Sequence, residues 1–463
     1  MDALAALWRG AGAAGAALDR VNLTGAEPVL PSSFAVGTAA QTSIAAASLA
    51  AAELWRMRTG NAQSAAVDMR HAAVEFRSER YLRVDGKPAR DLWDAIAGTY
   101  RCGDGRWVRL HTNLPHHRDG TLKLLNCTHD RAAVQAALDH WEAIPLETAA
   151  AEAGLVITAM RSFAEWDAHP QGEALAHLPV LTIEKIGEAP IERLPAADRP
   201  LGGVRVLDLT RIIAGPVCGR TLAAHGAEVL LVTASHLPSL EVLVIDGGRG
   251  KLSTALDLRQ ATARNALASL LRQAHVFVQG YRPGAIAGWG FGPEQAARMR
   301  PGIVYVSLSA YGHIGPWSER RGFDSLAQTA TGFNHAEAEA AGSDEPKPLP
   351  AQILDHASGY LMAFGTMVAL ARRMTEGGSW HVRVALAQTG HWLRGLGRIE
   401  GGLACADPRS ANVADLMEEL PSGFGALRSV RHAGILSATP ARWTRPSVPL
   451  GTHAPRWESA AAG

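Results

Sequence analysis

Between Pro350 and Val384 the chain reads PAQILDHASGYLMAFGTMVALARRMTEGGSWHVRV, and no other stretch limits the possible folds so tightly. From Tyr360 to Arg373 apolar side chains occupy almost every side of a helical projection. Leu361, Phe364, Val368 and Ala371 recur at helical spacing, and Met362, Met367 and Leu370 fill the remaining sides. A helix that is apolar all round must be buried all round, so the fold has to be built about it. Gly377-Gly378 ends the helix, and the alternation of Val382 with Val384 predicts a strand directly after it. Asp355 stands at the entrance, where the helix dipole favours negative charge. Such an acid is either a cap or helix-start residue or a placed functional group, and the helix alone does not separate the two.

The pattern occurs a second time. An offset of 317 positions lays Arg373 on Arg56, Met374 on Met57, Gly377 on Gly60 and Val384 on Val67. Ala363 and Ala369 then fall on Ala46 and Ala52, and the counterpart of Asp355 is Thr38. The expectation is a duplication in which the earlier helix, from about Thr38 to Arg58, has lost its acid.

At 463 residues the chain has room for two or three domains. Lys and Arg total 45 against 44 Asp and Glu, a balance that gives no reason to expect a nucleic acid or a membrane surface as partner. Cys102, Cys127, Cys218 and Cys405 form no CxxC pair, which points to a reduced, cytoplasmic setting. Asp2 precedes Leu4-Ala5-Ala6-Leu7, a poor signal peptide, and no apolar run approaches the roughly 20 residues that span a bilayer. A soluble protein is expected.

Tyr100 to Leu110 reads as a hairpin about Gly103-Asp104-Gly105, and helices are expected at Arg131–Trp141 and Leu146–Ala153. His111, His116, His117 and His129 lack the spacing of a metal site. Residues 186–200, with three prolines, read as a linker. After it, a strand from Val204 to Leu209, a turn through Pro216, a helix to His225 and a strand from Glu228 to Thr233 make a βαβ unit. Strands from Lys251, Val276 and Ile303 continue the alternation, which predicts a parallel sheet. The first turn lacks GxGxxG and the second strand ends in Thr233-Ala234, which argues against a nicotinamide dinucleotide. The loop Gly247-Gly248-Arg249-Gly250-Lys251 has no Walker spacing and reads first as a flexible surface loop. Together with Tyr281-Arg282-Pro283-Gly284 and Arg320-Arg321, however, it places three basic turns at the strand ends of one sheet. That pattern suits a phosphate-bearing ligand.

These motifs together resemble the family III CoA-transferases. The matching segments are VRVLDLTRIIAGP, HGAEVLLV, GRGKLSTALDL, VFVQGYRPGAIAGWGFG, RPGIVYVSLSAYGHIGP, RRGFDSLAQTATG and LDHASGYLMAFGTMVALARR, with the tail TPARWTRPSVPLGTHAP. The resemblance implies a Rossmann-like parallel-sheet large domain with a smaller α+β domain. Here the small-domain-like part, Tyr81 to Leu178, lies in the N-terminal half. The expected division is therefore an incomplete copy over 1–195, carrying the acid-free helix and the small domain, and a large CoA-binding domain over 196–463. The nucleophile implied is Asp355, and the CoA-contacting residues are Ile213, Ala214, Gly250, Lys251, Gly280, Tyr281 and Arg321. Departures from the family pattern are Thr233-Ala234, where an acid and a basic residue usually end the strand, and Gly288, where a basic residue is often found.

The implied reaction moves CoA from an acyl-CoA donor to a carboxylic acid acceptor through an aspartyl-CoA thioester. CoA is a substrate, and no cofactor is called for. An Asp with the ordinary pKa of about 3.9 would be ionised at neutral pH and need no adjacent base. Two alternatives stand beside it. An α-methylacyl-CoA racemase would want a His before the second acid, and Gly322-Phe323-Asp324 has Phe there. A degenerate, non-catalytic CoA-binding protein would account for Thr38 and the missing cations. The resemblance also implies a homodimer, with no nucleic acid and no membrane among its partners.

Overall fold

The computed structural model describes residues 1–88 and 93–458. Its centre is a seven-stranded sheet made of β1 (Leu181–Gly187), β2 (Arg205–Leu209), β3 (Glu228–Thr233), β4 (Lys251–Ala255), β5 (Val276–Gln279), β6 (Val304–Ser309) and β7 (Ser379–Ala385). The strand order is β4-β3-β2-β5-β6-β7-β1, parallel throughout except for β1, which closes the edge antiparallel to β7. The strands are short apolar runs because both faces are covered. Successive residues serve opposite cores. Val206, Val229, Val276, Val278, Val304 and Val306 face one helical layer, while Leu207, Leu230, Phe277 and Tyr305 pack under Leu267, Leu270 and Leu271 on the other side.

The first layer holds two helices of the same length, α1 (Val36–Thr59) and α2 (Ile353–Glu376), each 24 residues, which pack against one another. Their ends differ by the offset of 317 seen in the sequence, and so do the starts of the helices Met69–Glu75 and Leu386–Gly395 that follow. Each of the paired helices runs into a strand that lies parallel to an earlier one. Ala65–Asp68 pairs with Val21–Thr24, and β7 pairs with β6. A strand-helix-strand-helix unit thus occurs twice. All of the most apolar window of α2 is buried, so the one described helix with the length and composition to cross a membrane is a core helix. The sequence reading had found no run of that kind.

A smaller α+β unit combines the sheet Gly98–Arg101, Trp107–Leu110 and Ile157–Ala159 with helices Pro115–Leu125, Arg131–Leu138 and Ala143–Glu152. It has its own core around Ile96, Tyr100, Val108, Leu110 and Val134. Elements cross the expected 195/196 division in both directions. Strand β1 lies before it yet belongs to the main sheet, and Gly434–Leu436 lies after it yet pairs with Ala65–Asp68. The linker-like segment is tied down as well, since both carboxylate oxygens of Glu192 accept from Arg300 at 2.7 Å.

One surface reading is overturned. The loop from Gly247 to Lys251 is buried throughout. The Arg249 guanidinium donates to Asp246 and to the Val430 carbonyl and lies 4.1 Å from the centre of the Trp443 ring. Partners from distant parts of the chain, which a local reading does not see, turn a glycine-rich basic loop into a packed corner.

Candidate active site

The sheet changes winding direction between β2 and β5, so the connections leaving their C-terminal ends diverge and open a crevice. A cavity of about 460 Å³ occupies it. The turn after β2 contributes Arg211, Ile212, Ile213 and Ala214, the turn after β5 contributes Gly280, Tyr281 and Arg282, and Arg321 and Phe323 arrive from the segment after β6. Asp355 lines the same cavity from the first turn of α2. Ile212 has φ +73°, a left-handed conformation that costs a β-branched residue energy and recurs where a turn is held for function. Gly359 lets α2 come close to that turn, because a Cβ there would meet the Ala214 carbonyl oxygen at 2.5 Å. The N-terminal ends of α2 and of the helix Ala214–Ala224 therefore converge on the cavity.

Asp355 is not the cap of its helix. The residue before the helix, Gln352, makes no capping bond. Asp324 instead accepts the Asp355 backbone N–H at 3.0 Å, reaching across from the first turn of helix Asp324–Ala330, and Gln328 donates to its other oxygen at 2.5 Å. With that duty filled from elsewhere, the Asp355 carboxyl is free of any side-chain hydrogen bond among the described residues while only 7% of the residue is exposed.

Its ionisation differs from the expectation. Burial first, then the neighbouring carboxylates of Asp324 and Glu79, push the Asp355 carboxyl well above the ordinary carboxylate range. Burial also pushes Asp324 up to about 6. The reference pKa of a solvated Asp therefore does not describe this residue.

Of the seven residues read as CoA contacts, Ile213, Ala214, Gly280, Tyr281 and Arg321 line the cavity with Asp355. Gly250 and Lys251 are not among its lining residues. Lys251 donates to Asp208 at 2.8 Å and to the Pro216 carbonyl at 2.9 Å with its side chain 1% exposed, and the Gly250 N–H bonds the Arg445 carbonyl.

Histidines absent from that reading also line the cavity, His236 among them. His116 and His117 enter from the small unit of the same chain. His117 is pushed down to about 3 by burial and the nearby His116, Arg321 and Arg211, so it is a neutral imidazole. It meets Phe323 edge-on at 5.8 Å, and His111 stacks on the same ring at 4.0 Å. The sequence had marked these histidines only for a metal spacing they lack.

Ser307 lies 2.6 Å from His381. Burial pushes that imidazole down to about 3, and its Nδ1 has no partner among the described residues. The pair therefore lacks the acid that orients a catalytic Ser-His set.

Residues 201–397 match a family model described as CoA-transferase family III. That stretch carries the likeness to the family. The acetyl-coenzyme A transferase nodX of Hypoxylon pulicicidum is 35% identical over 199 residues, which is 42% of this chain and 34% of that protein. An acyl-CoA transferase of Gibberella moniliformis is 30% identical over 366 residues, 69% of this chain and 63% of its own length. A succinyl-CoA:glutarate CoA-transferase of Mus musculus is 34% identical over 183 residues, 37% of this chain and 41% of that protein. The chain thus spans between 34% and 63% of the length of these relatives.

The departures from the family III pattern fall together. Thr233 and Ala234 border a cavity of about 130 Å³ that shares His236, Leu237, Tyr281 and Ala285 with the larger one. Its Arg259 is committed to Asp257 at 2.7 Å. Gly288 lies in the short helical turn Ala287–Trp289 beside this cavity, and a Cβ there would meet nothing within 4 Å.

Proposed function

We propose that the chain transfers coenzyme A between an acyl-CoA and a carboxylic acid, with Asp355 as the covalent nucleophile. The observation that carries this reading is the unbonded Asp355 carboxyl in a cavity shared with Ile213, Ala214, Gly280, Tyr281 and Arg321. A carboxylate oxygen of Asp355 attacks the thioester carbonyl and the C–S bond breaks, giving a mixed anhydride and CoA thiolate. The thiolate attacks the Asp355 carbonyl, releasing the donor acid and leaving an aspartyl-CoA thioester. The acceptor carboxylate then attacks that thioester, and the thiolate returns to the acceptor carbonyl, which frees Asp355. Charge balances at every step without a proton donor. The first backbone N–H groups of the Ala214–Ala224 helix, which opens on the same cavity, would stabilise the oxyanions. A homodimer in a reducing, cytoplasmic setting belongs to the same proposal. The reducing setting is in keeping with Cys102, Cys127, Cys218 and Cys405 all being free thiols.

The test is exchange of CoA between a labelled acid and an acyl-CoA, with CoA affinity measured alongside by calorimetry. Because Asp355 attacks as the anion and its pKa is raised well above the ordinary carboxylate range, kcat/KM is expected to fall as pH drops through that raised range and to rise with pH across it. A profile flat from pH 5 to pH 8 would contradict the assignment.

Gly288→Arg is expected to tighten CoA binding on the order of fivefold, about 1 kcal/mol, by restoring a cation at an open position. Calorimetry at two salt concentrations checks both the gain and its electrostatic origin.

The racemase reading gains one observation, since His117 brings an imidazole to the cavity despite Phe323. Solvent deuterium at the α-carbon of a branched acyl-CoA would select it over CoA transfer.

A further inference from the structure

The acid-free repeat touches the helix of Asp355 at a particular place. Glu79, in the turn Ser78–Tyr81, has Oε2 3.3 Å from Nε2 of His356, the residue next to Asp355, and both side chains are 1% exposed. Phe76 stacks on His356 at 5.3 Å and on Tyr360 at 5.9 Å. The Tyr360 hydroxyl donates to Glu75. Residues 69–81 therefore grip the first turns of α2 by an imidazole, a phenol and an aromatic stack.

We propose that Glu79 is a positioning residue for Asp355, acting through His356 and through its own buried charge, so that the N-terminal repeat tunes the nucleophile it no longer carries. The inference rests on Asp355 being the reactive acid. The charged and titratable groups around the pair are few. Asp355 faces Asp324 from helix Asp324–Ala330 and Glu79 from the repeat. Glu79 in turn faces His356, Arg80 and Asp246, and His356 also interacts with Asp324 and Asp246. Glu79 acts in two opposing ways. Its carboxylate fixes the imidazole, and with it the rotation of the first turn of α2. Its negative charge, in a site that excludes water, makes a second charge on Asp355 harder to form.

Glu79→Gln keeps the shape and an acceptor oxygen while removing the charge. The midpoint of Asp355 ionisation is expected to move down by roughly one pH unit. It is read as the protonated-carboxyl infrared band that Asp355→Asn abolishes. The rising limb of kcat/KM against pH should move with it, and Glu79→Asp, which keeps the charge, should restore the wild-type midpoint. If the amide variant does not fold, Glu79→Met removes the same charge without needing a hydrogen-bond partner. An Asp355 band that titrates identically in wild type and in the charge-removing variant overturns the proposal. The infrared titration does not depend on turnover. A wild type that moves no CoA would refute the proposed function, and the titration would still decide the role of Glu79.

Discussion

Asp355→Ala is expected to abolish CoA exchange, by about 10⁴-fold or more, because no neighbouring group can replace a bonded nucleophile. Asp355→Asn should be equally inactive, since the amide keeps the shape and loses the charge. The fold should survive both, because the capping bonds at the start of α2 are made by Asp324 rather than by the Asp355 side chain. Removing a buried carboxyl whose charged form is disfavoured by burial should leave the melting temperature unchanged or raised. Incubation with acyl-CoA followed by hydroxylamine should modify the wild-type peptide containing Asp355 and leave the peptide around Thr38 untouched. Thr38→Ala should change the rate little. The nucleophile assignment is falsified if Asp355→Ala retains near wild-type exchange or if the trapped adduct maps to another residue. A circular dichroism melt beside the assay separates lost chemistry from lost structure.

The second large effect concerns stability. Lys251→Ala would leave Asp208 buried without its cation, and Asp208 is 0% exposed. Breaking a buried pair from one side costs about 3–5 kcal/mol, a large fraction of the roughly 5–15 kcal/mol that holds a typical protein folded. The urea midpoint should fall accordingly. Replacing both partners, as Asp208→Asn with Lys251→Met, should recover much of the loss, because neither charge is then stranded. CoA affinity of the folded double variant decides whether Lys251 also touches ligand. An affinity within twofold of wild type confines it to the interior, and a tenfold loss would restore the direct contact that the family resemblance implied.

The parts of this protein that were legible in its sequence are those whose cause is local. Runs such as Val229-Leu230-Leu231-Val232 predict strands because β-branched and apolar residues suit a sheet covered on both faces. The all-round apolar character of Tyr360–Arg373 predicts a buried helix, and the offset of 317 places the two 24-residue helices in register to the residue. The parts that were not legible depend on partners far along the chain. Asp355 looked like an ordinary acid because Asp324, 31 positions away, and Glu79, which contacts His356 from 277 positions away, lie outside any local window. Gly247–Lys251 has the composition of an exposed loop, and only Asp246, Val430 and Trp443 show why it is interior. His117 gave no signal beyond its type, since an imidazole that only lines a cavity has no spacing to recognise.

The strands near the C-terminal end also set a timetable for synthesis. Gln63 bonds Thr439, 376 positions later, and Gly434–Leu436 completes the sheet begun by Val21–Thr24 and Ala65–Asp68. At roughly 5–20 residues per second, the early strands wait tens of seconds on the ribosome before their partner emerges. During that interval Ala65–Asp68 presents a bare edge on the side that Gly434–Leu436 will occupy, and the alanine-rich α1 has no α2 to pack against. The N-terminal repeat thus passes through synthesis with an uncovered strand edge and an unpartnered helix.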